Sequence, residues 1–92
     1  MFAIAFDMTV ADIRKHYPKG ISGAYTEIAS TIAPFGFERV QGSVYVSENS
    51  DMAELVGAIL ALKAMPWFVP CVRDVRGFRV ENWSNFTPIV KG

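Results

Sequence analysis

Residues 37–47, Phe37-Glu38-Arg39-Val40-Gln41-Gly42-Ser43-Val44-Tyr45-Val46-Ser47, read as two short strands around a tight turn at Gln41-Gly42. The first covers Phe37 to Val40, the second Ser43 to Ser47. In the second, Val44 and Val46 share one face, while Ser43, Tyr45 and Ser47 share the other. Helical patterns flank this hairpin on both sides. From Lys19 to Ala33 the apolar positions Ile21, Ala24, Tyr25, Ile28, Ala29 and Ile32 recur at helical intervals, and Pro34 with Gly36 ends the run. Beyond the hairpin, Met52, Leu55, Val56, Ile59 and Leu60 form a second stripe, stopped by Pro66. Asn49 or Ser50 is the expected cap, with Asp51 and Glu54 in the first turn, where the helix dipole favours carboxylates.

Moving outward, Phe2 to Met8 alternates as a strand. Phe2, Ile4, Phe6 and Met8 point one way, and Ala3, Ala5 and Asp7 the other. Arg73 to Glu81 contains a last strand. Thr9 to Tyr17 reads as a short helical turn or loop before Pro18, Trp67 to Pro70 as a hydrophobic connector, and Trp83 to Lys91 as a short C-terminal helix capped by Ser84. The order is β-α-β-β-α-β with a C-terminal helix, an α+β class. Short connections and right-handed crossovers make the split β-α-β, or ferredoxin-like, sandwich the leading topology, as one domain over residues 1–92. In that topology the first and third strands are antiparallel neighbours in mid-sheet, with both helices on one face.

A chain of 92 residues buries only roughly 60–65% of its unfolded surface, so its stability margin is thin. Yet 51% of its residues are hydrophobic, a surplus that a second copy of the chain would cover. Nine basic and nine acidic residues cancel, so no global field drives polyanion binding, and any nucleic-acid contact must come from local clusters. Cys71 stands alone, which excludes an intrachain disulfide and fits a reducing cytosol. The opening MFAIAFD has no basic region and does not read as a signal peptide. Leu55 to Leu62, the longest uncharged stretch, is too short to span a bilayer. The expectation is a soluble cytoplasmic protein.

The topology brings the end of the first strand beside the start of the third, so Asp7 is expected near Ser43. With Phe2, Ile4, Phe6, Val44 and Val46 facing the helices, the open face would show Ala3, Ala5, Asp7, Ser43 and Tyr45. Such a small, apolar face is expected to pack on a second protomer, with Asp7 and Ser43 at the rim. An aspartate after a strand often only caps a turn. Paired across a two-fold axis, two Asp7 carboxylates could instead hold a divalent metal or serve as a proton acceptor. Arg14, Lys15 and Lys19 follow closely and could contact phosphate. Tyr45 offers a ring for interface packing or for stacking on a base. Arg73, Arg76 and Arg79 give the last strand a basic character, either as phosphate ligands or, the favoured reading, as edge-strand charges that block sheet aggregation. A single histidine, His16, excludes two-histidine ribonuclease chemistry, and no Walker loop, zinc spacing, G-x-S-x-G or dinucleotide fingerprint is present.

An ordered set of segments resembles the virulence-associated protein D family. It comprises the opening strand ending in Asp7, Tyr17-Pro18-Lys19-Gly20, Ala24-Tyr25-Thr26, Phe35-Gly36-Phe37, Gln41-Gly42-Ser43 with Tyr45, Asp51-Met52-Ala53, Ala61-Leu62-Lys63, Val72-Arg73-Asp74, and Phe78-Arg79-Val80-Glu81 with Trp83-Ser84. That family is similar in fold to the small CRISPR-associated ribonuclease of spacer acquisition. The resemblance implies a ferredoxin-like homodimer and an endoribonuclease, the toxin of a toxin–antitoxin pair, with Asp7 of both protomers at the active site and Ser43 beside it. With the residue reading above, the expectation is an RNA substrate met by Arg14, Lys15, Lys19 and Tyr45, a Mg2+ ion at Asp7, and an antitoxin protein as partner. The competing reading is a non-catalytic nucleic-acid-binding or scaffold dimer, which the neutral net charge disfavours.

Overall fold

The computed structural model describes residues 1–92, and its four strands form one sheet. Strand β1 spans Phe2–Met8, β2 Glu38–Gln41, β3 Val44–Ser47 and β4 Val72–Arg79. Helix α1 spans Val10–His16, α2 Gly20–Ile32, α3 Met52–Lys63, α4 Phe68–Cys71 and α5 Thr87–Lys91. The strands run in the order β2-β3-β1-β4, every neighbouring pair antiparallel.

Local chemistry explains the element ends. The Thr9 hydroxyl accepts the Asp12 N–H at 3.1 Å and starts α1. Arg14, Lys15 and His16 then fall in its last turn, where cations favour the dipole. A short 3-10 turn at Ala33–Phe35 closes α2 and leads to Gly36. Helix α3 is capped by Asp51, whose carboxylate accepts the Ala53 N–H at 2.9 Å. The expected caps Asn49 and Ser50 lie outside it, and Asn49 Oδ1 instead accepts the Asp51 N–H. The connector after Pro66 contains a single helical turn, α4. At the C-terminus, α5 is shorter than expected: Phe86 holds the cap position without a side-chain bond, so Ser84 does not cap it.

The core lies between the sheet and helices α2 and α3, with Phe2, Ile4, Phe6, Ile28, Ile32, Tyr45, Leu55, Ala58 and Leu62 all buried. A smaller cluster of Ile13, Tyr17 and Ala24 seats α1 against α2. In β1 the large side chains face the helices, as the alternation predicts. In β3 the expected faces are reversed. Ile4 pairs with Tyr45 and Phe2 with Ser47, so Tyr45 and Ser47 face the helices, and both are buried. Val44 and Val46, paired with Ala5 and Ala3, lie on the open face and are half-buried.

Directly opposed residues of an antiparallel pair share a face, so the register defines the open side. Val46, Ala3 and Phe78 form one row across β3, β1 and β4; Val44, Ala5 and Arg76 form the next. Glu38 and Gln41 of β2 extend these rows. The face is therefore small and apolar along its middle. No helix is long and apolar enough to cross a membrane.

Candidate functional site

Asp7 is exposed near the C-terminal end of the central strand, and its partner across the ladder to β4 is Asp74. Opposed Cβ atoms in such a pair lie about 4.5–5.5 Å apart, which brings two carboxylates to one end of the open face. The ladder slips immediately afterwards, since Met8 pairs with Val72 and Arg73 is the extra residue. Bulges of this kind turn the strand and mark where pairing stops.

Asp74 is held by Arg76, whose Nε approaches its two carboxylate oxygens at 3.1 and 3.0 Å. Both side chains are half or more exposed (50% and 74%), so the pair adds little stability. Its interest is positional. Arg76 engages through Nε alone, so its two terminal amino groups keep their donors for another acceptor. No three metal-ligating side chains converge within one chain. Asp7 and Asp74 do provide the donor set that suits Mg2+, an ion usually held by one or two carboxylates and completed by water and phosphate oxygens.

Ser43 departs from expectation. Its hydroxyl lies 3.1 Å from the Tyr25 hydroxyl on α2, so it faces the helices, whereas Asp7 points to the open side. The two residues are neighbours through backbone only: the Phe6 N–H donates to the Ser43 carbonyl at 3.1 Å. The expected rim shared by both side chains is therefore corrected, and Asp74 takes the place beside Asp7. Tyr45, expected on the open face, is fully buried and stacks on Phe6 at 5.7 Å, which leaves no ring surface for a base. Its hydroxyl has no hydrogen-bond partner, and burial pushes its pKa up.

Arg14 and Lys15 are exposed on α1, which starts two residues after β1 ends, and Lys19 is exposed at the start of α2. None of the three is in an ion pair, since Arg76–Asp74 is the single one in the chain. Cys71 is buried with its thiol donating to the Asp12 carbonyl at 3.4 Å, and burial, then the Asp12 charge, pushes the thiol pKa up. That thiol is a packing group. The residue missed by sequence reading is Asp74. Val72-Arg73-Asp74 stood out only as part of the resemblance, because the start of the last strand was not legible.

No protein-family model matches the chain. Curated relatives do, over their full length. The chain is 56% identical over 91 residues to the "Endoribonuclease VapD homolog" of Neisseria gonorrhoeae, covering 99% of each chain. It is 49% identical over 92 residues to the "Endoribonuclease VapD" of Dichelobacter nodosus, covering 100% of this chain and 99% of the relative. It is 48% identical over 91 residues to the "Endoribonuclease VapD" of Haemophilus influenzae, covering 99% of each.

Proposed function

Because the chain belongs to the family of the VapD endoribonucleases, we propose that it cleaves RNA phosphodiester bonds at the Asp7 end of its open sheet face. The observation that carries this reading is the exposed Asp7–Asp74 pair, closed on one side by Arg76. An RNA phosphodiester can be attacked by the neighbouring 2′-hydroxyl or by water. Either route asks for a carboxylate to accept or position a proton and for cations to offset phosphate charge. Asp7 and Asp74 supply the first, and the free edge of Arg76 supplies the second. Mg2+, held by Asp7 and Asp74, would add Lewis-acid polarisation of a phosphoryl oxygen. Arg14, Lys15 and Lys19 are proposed to guide the RNA backbone toward this end of the sheet. Ser43 contributes from the other face, through the backbone it shares with Phe6.

The working unit is proposed to be a homodimer of ferredoxin-like protomers, a name the β2-β3-β1-β4 order supports. Rows of Val46, Ala3 and Phe78 and of Val44 and Ala5 give a second copy a close, largely apolar seat. Asp7 of each protomer then lies at the edge of a common cleft. Within the cell the chain is proposed to act in the cytoplasm as the toxin of a toxin–antitoxin pair, neutralised by a partner protein.

The test is cleavage of a labelled RNA by the purified protein and by Asp7→Asn and Asp74→Asn, with and without chelator, alongside solution mass. The expectation is a species of twice the 10.2 kDa chain mass. Activity should fall by about a hundredfold or more in Asp7→Asn, as expected for loss of a general base. Parental rates in Asp7→Asn would end this assignment. Loss of activity in chelator, restored by Mg2+, assigns the ion.

A further inference from the structure

The turn at residues 41–43 is clamped from the helix side by two residues that the cleavage chemistry does not use. Tyr25 projects from α2 and its hydroxyl meets that of Ser43 at 3.1 Å. The Arg39 guanidinium lies 4.5 Å above the centre of the Tyr25 ring, and its Nε donates to the Gly42 carbonyl at 2.6 Å. Gly42 sits at φ +43°, a conformation that glycine takes without strain and that side-chain-bearing residues rarely hold. The Ser43 carbonyl in turn accepts the Phe6 N–H at 3.1 Å. The ladder that pairs Ala5 with Val44 thus continues by one residue, to Phe6 and Ser43, and Asp7 follows directly.

We infer that Tyr25 is a positioning residue: through Ser43, and with Arg39 stacked on its ring, it holds the 41–43 turn and so fixes the β1 backbone directly before Asp7. The chain of contacts is continuous from α2 to the strand that carries the carboxylate. Tyr25 fixes the Ser43 side chain, the Ser43 backbone fixes Phe6, and Asp7 is the next residue. The cation–π contact and the Arg39–Gly42 bond fix the same turn from its other end, so hydroxyl and ring act on one element. Small displacements of a carboxylate relative to the phosphate are costly in rate, which makes this support matter to catalysis although it touches no substrate.

This inference rests on the Asp7 reading, and its test separates the two. Tyr25→Phe keeps the ring under Arg39 and removes only the hydroxyl. It should lower kcat about tenfold with KM for RNA unchanged, the signature of lost alignment rather than lost binding. The Ser43→Ala background should abolish that effect, the double variant being no slower than Ser43→Ala alone. Exchange of the Phe6 amide should be faster in Tyr25→Phe, whatever the activity. A parental kcat in Tyr25→Phe, losses that multiply in the double variant, or an unchanged Phe6 exchange rate would each overturn the inference. Failure of the Asp7 reading shows separately, as full cleavage by Asp7→Asn, and leaves the exchange measurement to judge the clamp.

Discussion

Tyr45→Phe should stabilise the protein while leaving RNA cleavage alone. Tyr45 is fully buried, and its hydroxyl is satisfied by nothing around it. A buried hydroxyl without a partner carries a desolvation cost of about 1–3 kcal/mol. Deleting the oxygen relieves that cost. The void it leaves takes back a few tenths of a kcal/mol, at about 24 cal/mol per Å3. The ring stays, and with it the stacking on Phe6 at 5.7 Å. The balance is a gain of about 1 kcal/mol, equivalent to a rise of about 4–8 °C in melting midpoint for a domain this size. Tyr25→Phe, the same chemical change, should have the opposite sign, because it breaks a made bond worth about 0.5–1.5 kcal/mol. Urea or thermal melts of both variants, with cleavage rates measured in parallel, decide the matter. A Tyr45→Phe protein that melts lower than the parent would refute the reasoning, since its hydroxyl would then have a partner.

Gly57→Ala sets helix propensity against packing. Alanine in mid-helix gains about 1 kcal/mol over glycine, but a Cβ here would stand 2.6 and 2.9 Å from Phe35 ring carbons. Overpacking of that kind costs about 1–3 kcal/mol, so the variant should be less stable by urea titration despite its better propensity. Alkaline pH should also destabilise the fold. Burial raises the pKa of Cys71 above its ordinary 9.0 and of Tyr45 above its ordinary 10.0. The unfolded chain therefore releases these protons first and gains from rising pH, so stability is full below about pH 9 and falls above it. Denaturation midpoints at pH 7, 9 and 10.5 check this, and Cys71→Ala should flatten the first part of the decline.

Strand and helix positions were legible in the chain because periodicity states them locally. The alternation in Phe2–Met8 and the stripe of Ile21, Ala24, Ile28 and Ile32 required nothing from elsewhere: Phe2, Ile4, Phe6, Ala24, Ile28 and Ile32 are buried, and Met8 and Ile21 partly so. The faces of β3 were not legible, and the reason is physical. In Ser43-Val44-Tyr45-Val46-Ser47 both alternating sets can be buried: two β-branched valines, or one tyrosine between two serines. Local pattern favours the valines. The protein buries the tyrosine, because an aromatic side chain removes some 150–250 Å2 from water and finds Phe6 to stack on. The serines then follow Tyr45 inward, where Ser47 accepts the Asn49 N–H and Ser43 meets Tyr25. A period-two pattern carries no information on which of its phases is inside until the partner strand is known.

The same argument governs the carboxylates. Asp7 could be singled out from sequence as a charge interrupting an apolar strand, but its companion could not. Asp74 lies opposite Asp7 only because β4 pairs with β1 in one register, held at one end by the Val80 N–H on the Met1 carbonyl and at the other by the bulge at Arg73. Slip β4 by one residue and Asp74 would turn toward the helices, and Val75 or Arg73 would face Asp7 instead. What stands next to Asp7 is thus decided by the long-range pairing of the two ends of the chain. Charge repulsion between opposed carboxylates opposes that pairing by up to about 1 kcal/mol. Arg76, two residues along on the same face, offsets it through its contact with Asp74. A register that places two like charges together and then supplies a cation to one of them costs stability that a purely structural edge strand would have avoided. The carboxylate pair therefore weighs toward function: Asp74→Asn should raise stability by a few tenths of a kcal/mol while lowering the rate of cleavage.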